Sequence, residues 1–270
     1  MKGKPLSTID INAVRELIKA DRAALEALPQ AVKNLEEGTV KVLAISGKKG
    51  SGKDTFTAEL GKELGKPFVM YAFAYELKAQ AQAMFNIIKA LSGRGYTEDM
   101  IVNDIIQAYE LWSIPFVTRN MHLFVQGILE DLKNGITPDS YKRSPGVWRG
   151  LQLLGTDIRR QQDDNYWVKK TVAYTVKQLA SGTSVFISDV RFLNEIKALE
   201  DLGSPTIRMY VTPEVQRERL IGRDGSAPSA EALVHPSEVS LDDYEFDIVV
   251  DNNGSVSIAD NATRVAGILS

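Results

Sequence analysis

Ser46-Gly47-Lys48-Lys49-Gly50-Ser51-Gly52-Lys53-Asp54-Thr55 places glycines and a lysine where they can bind phosphate. Gly47, Gly52 and Lys53 have GxxxxGK spacing; a β-branched run precedes them and a helical pattern follows. Glycines at 47, 50 and 52 let the backbone curl, so that successive amides, those of Lys49 and Ser51 included, face one anion. The following helix adds the positive end of its dipole. Lys53 reaches the β- and γ-phosphates of a nucleoside triphosphate. A glycine-rich turn that merely joins strand to helix leaves the lysine and its spacing unexplained. One position departs from the pattern, because the hydroxyl slot holds Asp54 and Thr55 comes one residue later. Asp54 either holds Mg²⁺ through water or points away and leaves Thr55 to orient the metal.

A second group lies far downstream. Ser184-Val185-Phe186-Ile187-Ser188-Asp189 reads as an apolar strand ending in a carboxylate. In an open parallel sheet, ligands sit beyond the C-terminal strand ends, so Asp189 and the loop after Ile45 should converge, with Asp189 as a further metal ligand. Arg191 can grip a substrate phosphate with a bidentate fork. The alternative is that Asp189 caps the next helix and Arg191 makes a surface ion pair. Arg217, Arg219 and Arg223 follow another strand. Arg219 and Arg223 are spaced to share a helical face, Arg217 is off it, and Gly222 is expected to break the helix between them. The Gly-, Ser-, Ala- and Pro-rich stretch from Arg223 to His235 reads as a lid or loop. The alternative is a solvated helix whose arginines pair with Glu214 and Glu218.

The elements that must position these residues are legible from the hydrophobic period. Short runs at Val40–Ile45, Phe68–Tyr71, Ser184–Ile187, Thr206–Val211 and Phe246–Val250 read as strands. Helical patterns at Asp54–Leu64, Tyr166–Leu179, Arg191–Leu202 and Pro213–Ile221 lie between them. This alternation predicts an α/β fold, a parallel five-stranded sheet with helices on both faces. Residues 9–37 read as helix, interrupted at Pro29 and ended by Gly38. The predicted organisation is a helical N-terminal extension over 1–38 and a main domain over 39–270. A helical insertion occupies about 74–163, and a lid about 213–237.

Composition narrows the chemistry. The 270 residues include no cysteine and two histidines, which excludes disulfides and thiolate metal sites and makes oxygen-held Mg²⁺ the natural metal. The net charge of −3 comes from mixed signs and lowers the expectation of a nucleic-acid partner. No apolar run approaches a membrane span and no signal-peptide pattern opens the chain, so a soluble, cytoplasmic protein is expected.

Four segments together resemble the bacteriophage-type deoxynucleoside monophosphate kinases. They are 47–55, Leu154-Gly155-Thr156-Asp157 with Tyr166-Trp167-Val168-Lys169, Ser188-Asp189-Val190-Arg191-Phe192-Leu193-Asn194-Glu195, and Asp251-Asn252-Asn253-Gly254-Ser255. Adenylate-kinase-like loops also lack a hydroxyl at the slot of Asp54 and have Thr next. The resemblance implies a P-loop nucleoside-kinase-like fold and transfer of the γ-phosphoryl group of ATP to a deoxynucleoside 5′-monophosphate. It also implies Mg²⁺, nucleotides as the partners, and the cytoplasm of the host cell if the chain is phage-encoded. Gly155, Thr156, Asp157 and Arg159 would line the monophosphate pocket. Lys78 would contact the acceptor phosphate, or else be a surface lysine; Trp167 would stack on a base, or else be a core aromatic. Arg217, Arg219 and Arg223 would close over the triphosphate, and Asn253 would lie near adenine. His235-Pro236-Ser237-Glu238 resembles a stretch of related phage kinases and receives no chemistry from the sequence. Ser255 or Ser257 is expected to cap the last helix. The rival readings are a P-loop kinase for dephospho-coenzyme A or phosphomevalonate, an ATP-switched binding or DNA-packaging module, and a structural protein with a vestigial loop. The N-terminal helices and the insertion are candidate homodimer surfaces.

Overall fold

The computed structural model describes residues 8–111, 115–135, 150–225 and 236–270. The chain divides into two compact units, one of Met1–Phe73 with Val168–Ser270 and one of Ala74–Trp167.

The first unit is built on an all-parallel five-stranded sheet of order β2-β3-β1-β4-β5. The strands are β1 (Val42–Gly47), β2 (Phe68–Tyr71), β3 (Ser184–Val190), β4 (Thr206–Tyr210) and β5 (Ile248–Asp251). Every residue of the central strand β1 is buried, because helices cover both faces. The strand period of two splits its side chains between two cores. Val42 and Ala44, with Val185 and Ile187 of β3, join a cluster completed by α1 (Ile11–Ile18), α2 (Arg22–Glu36), α8 (Tyr166–Ala180) and α9 (Leu193–Glu200). Leu43 and Ile45, with Phe186, join Phe56 and Leu60 of α3 (Lys53–Leu64) and Val265 of α12 (Ile258–Leu269). Burying a residue of Phe56's size contributes about 2–3 kcal/mol. Ser257 caps α12 by accepting from the Asp260 amide at 3.0 Å.

The N-terminal helices divide at Lys19–Asp21 and not at Pro29, which lies inside α2. Pro29 removes one backbone bond, but Ala24, Leu28, Ala31 and Val32 bury an unbroken apolar stripe across it. The break instead follows the cap, since Asp21 accepts from the Ala24 amide at 2.9 Å and from Lys177 Nζ at 3.0 Å. The amide bond and, next, the ammonium hold the Asp21 carboxyl below the usual carboxylate range. A carboxyl lowered by folding stabilises above its unfolded value of about 3.9 and loses that effect as pH falls through the folded value. Asp21→Ala should therefore cost about 1 kcal/mol at pH 7, and the difference should fade below about pH 4. Urea unfolding of both proteins at pH 7 and pH 3 measures this.

The regular elements of the second unit are all helices among its described residues, with α4 (Phe73–Ser92, the unit taking it from Ala74), α5 (Glu98–Ala108), α6 (Pro115–Lys133) and α7 (Leu153–Arg160). Its own core gathers Met84 and Ile88 of α4, Ile101 and Ile105 of α5, Met121 and Val125 of α6, and Leu154 and Ile158 of α7. The winding of α7 is π, wider than the α-helix implied by the sequence. Among the described residues, no helix is long and apolar enough to cross a membrane.

Candidate functional site

The loop between β1 and α3 is held open from outside. Gly50 and Gly52 have φ of 84° and 82°, the left-handed region that side chains disfavour. A Cβ on Gly47 would lie 2.4 Å from Ser51 Oγ and 3.0 Å from the Met209 carbonyl, so β4 backs directly onto the loop. The carbonyls are all engaged. Lys48 O accepts from the Ser51 amide at 3.0 Å, Lys49 O from Gln216 Nε2 at 2.8 Å, and Ser51 O from Asn252 Nδ2 at 2.8 Å. Gly50 O accepts a long bond of 3.5 Å from Arg219 Nη1, whose Nη2 also donates to Asn252 O at 2.7 Å. The carbonyls of Lys49, Gly50 and Ser51 are tied outward, while the bond to Lys48 O turns the Ser51 amide into the loop, against the sequence expectation for that amide. The first-turn amides of α3, which no helix can pair internally, are the ones left to face an anion. Ser51 itself is fully buried, its hydroxyl without a partner among the described residues. Lys53 opens α3 with a side chain 14 % exposed, its Nζ 3.5 Å from Asp54 Oδ2. Asp54 and Thr55 are exposed on the first turn.

Beside the loop, the end of β3 is tied to the end of β1 by Ser46 Oγ, which donates to Val190 O at 2.8 Å. Asp189 does not cap α9. Its Oδ1 accepts from the Phe73 amide at 2.7 Å, and Glu195 takes the amides of Arg191 and Phe192 at 2.8 and 3.2 Å. The Arg191 guanidinium pairs with Glu238 Oε1, while Glu238 Oε2 accepts from the Lys49 amide at 2.9 Å. Asp242 then ties the same segment down, accepting from Lys48 Nζ at 2.8 Å and Arg208 Nη2 at 2.9 Å. Arg208 also donates to Ser46 Oγ at 2.9 Å, and burial pushes its guanidinium below the usual arginine range against the pull of Asp242 and Glu238.

The three arginines lie on α10 (Pro213–Asp224), which runs unbroken through Gly222 and stops at Gly225 with φ of 77°. A glycine costs a helix about 1 kcal/mol, which the Thr212 cap, Pro213 in the first turn and the buried Gln216 and Leu220 outweigh. Arg219 braces the loop, whereas Arg217 and Arg223 are exposed. Residues 226–235 of the expected lid, His235 among them, lie outside the described residues. Asn253 is engaged within its turn, accepting from the Thr212 amide at 2.8 Å and donating to Asp251 Oδ1 at 2.7 Å. Its neighbour Asn252, buried, is the asparagine that reaches the loop.

The remaining candidates belong to the second unit. Gly155 lets α7 approach α4, for a Cβ there would lie 2.9 Å from Leu77 Cδ2. Trp167 is buried and donates Nε1–H to the Gly155 carbonyl at 3.0 Å, so its indole serves as a core aromatic. Lys78 and Thr156 are exposed, and Asp157 accepts through its backbone carbonyl from Asn120 Nδ2 at 3.3 Å. Arg159 is 5 % exposed. It donates to Gln80 Oε1 at 3.1 Å and Tyr109 O at 3.2 Å, and lies 4.5 Å from the Tyr166 ring centre. Burial pushes this guanidinium below the usual arginine range, and no carboxylate among the described residues pairs with it.

Gln216, Asn252, Glu238, Arg208 and Asp242 are the site residues that the sequence did not single out for the loop. Asn252 and Glu238 lie inside stretches noted for resemblance, but neither is linked there to the loop.

No family model matches the chain. Over 127 residues, 47 % of the chain, it is 37 % identical to the uncharacterized protein ORF77 of Ictalurid herpesvirus 1 (strain Auburn). The match spans 49 % of that protein, about half its length.

Proposed function

We propose that this chain is an ATP-dependent kinase that passes the γ-phosphoryl group to a deoxynucleoside 5′-monophosphate. The observation that carries the reading is the loop of residues 47–55, with the Lys49 and Ser51 carbonyls bound outward and Lys53 at the start of α3. Such a loop binds a chain of phosphates through its amides, and phosphoryl transfer asks little more of a protein than alignment and neutralisation of charge. Asp189 is the penultimate residue of β3 and Arg191 follows its end, next to β1, and the C-terminal ends of parallel strands are where ligands of open α/β sheets bind. Arg191 is assigned to the acceptor phosphate, and Arg219 to keeping the loop in shape. Arg217 and Arg223 are assigned to the triphosphate.

The oxygen donors fit Mg²⁺, which keeps most of its ligands as phosphate oxygens and water. Asp54 and Thr55, exposed at the loop exit, and Asp189 would hold it, and the ion would neutralise charge on the β- and γ-phosphates. In the second unit, Arg159 is buried beside Tyr166 on a π-wound turn of a kind enriched at functional sites, with Thr156 and Asp157 close in sequence and Lys78 two residues from its partner Gln80. The deoxynucleotide as acceptor rests on the resemblance of the four segments.

A panel of common ribo- and deoxynucleoside monophosphates, with dephospho-coenzyme A and phosphomevalonate, incubated with ATP and Mg²⁺ tests this reading. Diphosphate product from one or more deoxynucleotides is expected. Product from another acceptor alone, or ATP hydrolysis stimulated only by a macromolecule, would replace the reading.

A further inference from the structure

We propose that Glu238 is an internal ligand of the phosphate loop, seated where a phosphate oxygen binds and displaced when ATP enters. The proposal rests on the reading of residues 47–55 as a triphosphate site. Glu238's side chain is only 11 % exposed, and its two oxygens have different partners. Oε2 accepts from the backbone amide of Lys49, inside the loop, at 2.9 Å, and Oε1 pairs with the guanidinium of Arg191. A backbone amide and an arginine fork are the donors that a phosphate oxygen seeks, so the carboxylate presents the loop with an anion of its own.

The segment that carries Glu238 is moored on its far side. Leu241 is buried in the first core, and Asp242 bridges Lys48 and Arg208 at 2.8 and 2.9 Å. Glu238 itself lies in α11 (Pro236–Val239), a single turn, with Val239 and Ser240 between it and Leu241, so its side chain can swing off the loop while Asp242 stays. A triphosphate offers the loop more charge and more oxygens than one carboxylate, and it wins the exchange. Until then Glu238 offsets the positive charge of Arg191 and the loop amides. Its seat lowers the apparent affinity for ATP by the fraction of molecules in which the seat is filled.

Glu238→Asp separates occupation from charge. It keeps the negative charge, but one methylene less cannot span both Lys49 and Arg191. Calorimetry should show ATP binding to this variant about tenfold more tightly than to the wild type, with adenosine unchanged. Glu238→Gln should move in the same direction. On the wild-type chain, saturation with ATP should shift the carboxylate carbon resonance of Glu238. Unchanged or weaker ATP binding in both folded variants, or a carboxylate signal that ignores ATP, overturns the proposal. Should the wild type and both variants all fail to bind ATP, the reading of the loop falls with it.

Discussion

Lys53→Ala should lower phosphoryl transfer by about 10³-fold and leave the fold in place. Lys53 sits at the first position of α3, and its ammonium meets Asp54 at 3.5 Å. An ion pair of that length to a largely exposed carboxylate contributes little to stability, and alanine is the best helix former. Unfolding should therefore move by no more than about 0.5 kcal/mol. In the proposed reaction the charge would lie against the β- and γ-phosphates as negative charge spreads over the transferring group. Steady-state rates with saturating ATP, together with urea unfolding, separate the two effects. Normal rates in the variant would remove Lys53 from the mechanism.

Gly52→Ala should be the most damaging small substitution in the loop. Gly52 caps α3 with φ of 82°, which costs an L side chain about 1–2 kcal/mol. Its new Cβ would also stand 2.6 Å from Asn252 Nδ2. Asn252 must then retreat from the Ser51 carbonyl, and stranding that buried bond costs about 1–3 kcal/mol more. The expected destabilisation is about 3 kcal/mol in sum. ATP affinity should fall by about 10²-fold, because the amides that follow Ser51 turn away. Equilibrium unfolding and calorimetry measure the two losses. A variant that unfolds like the wild type would show that Asn252 does not fix the loop.

The strands were legible because each is a short β-branched run whose alternate residues serve two cores. Leu43 against Val42 and Phe186 against Val185 show the split directly. The glycine-rich loop was legible for a similar reason: its glycines, its lysine, the strand before and the helix after all lie within Val42–Leu64, one supersecondary unit. Pro29 misled because a local rule lost to a buried apolar stripe, and Gly222 because capping at Thr212 and Gly225 sets the extent of α10. The braces of the loop were hidden for a different reason. Gln216, Glu238 and Asn252 act across sequence separations of 167, 189 and 201 residues, and nothing near a lone polar residue announces such a partner. The π winding of α7 was equally hidden, since eight residues are too few for the hydrophobic pattern to tell its wider turn from an α-helix.

Tracing the γ-phosphate tests the central claim most directly. With ATP labelled at that position, Mg²⁺ and the deoxynucleoside monophosphates supplied one at a time, label should appear in a deoxynucleoside diphosphate. It should be absent from that product when Lys53 is alanine. Label released only as inorganic phosphate, at a rate indifferent to every acceptor, would contradict the account.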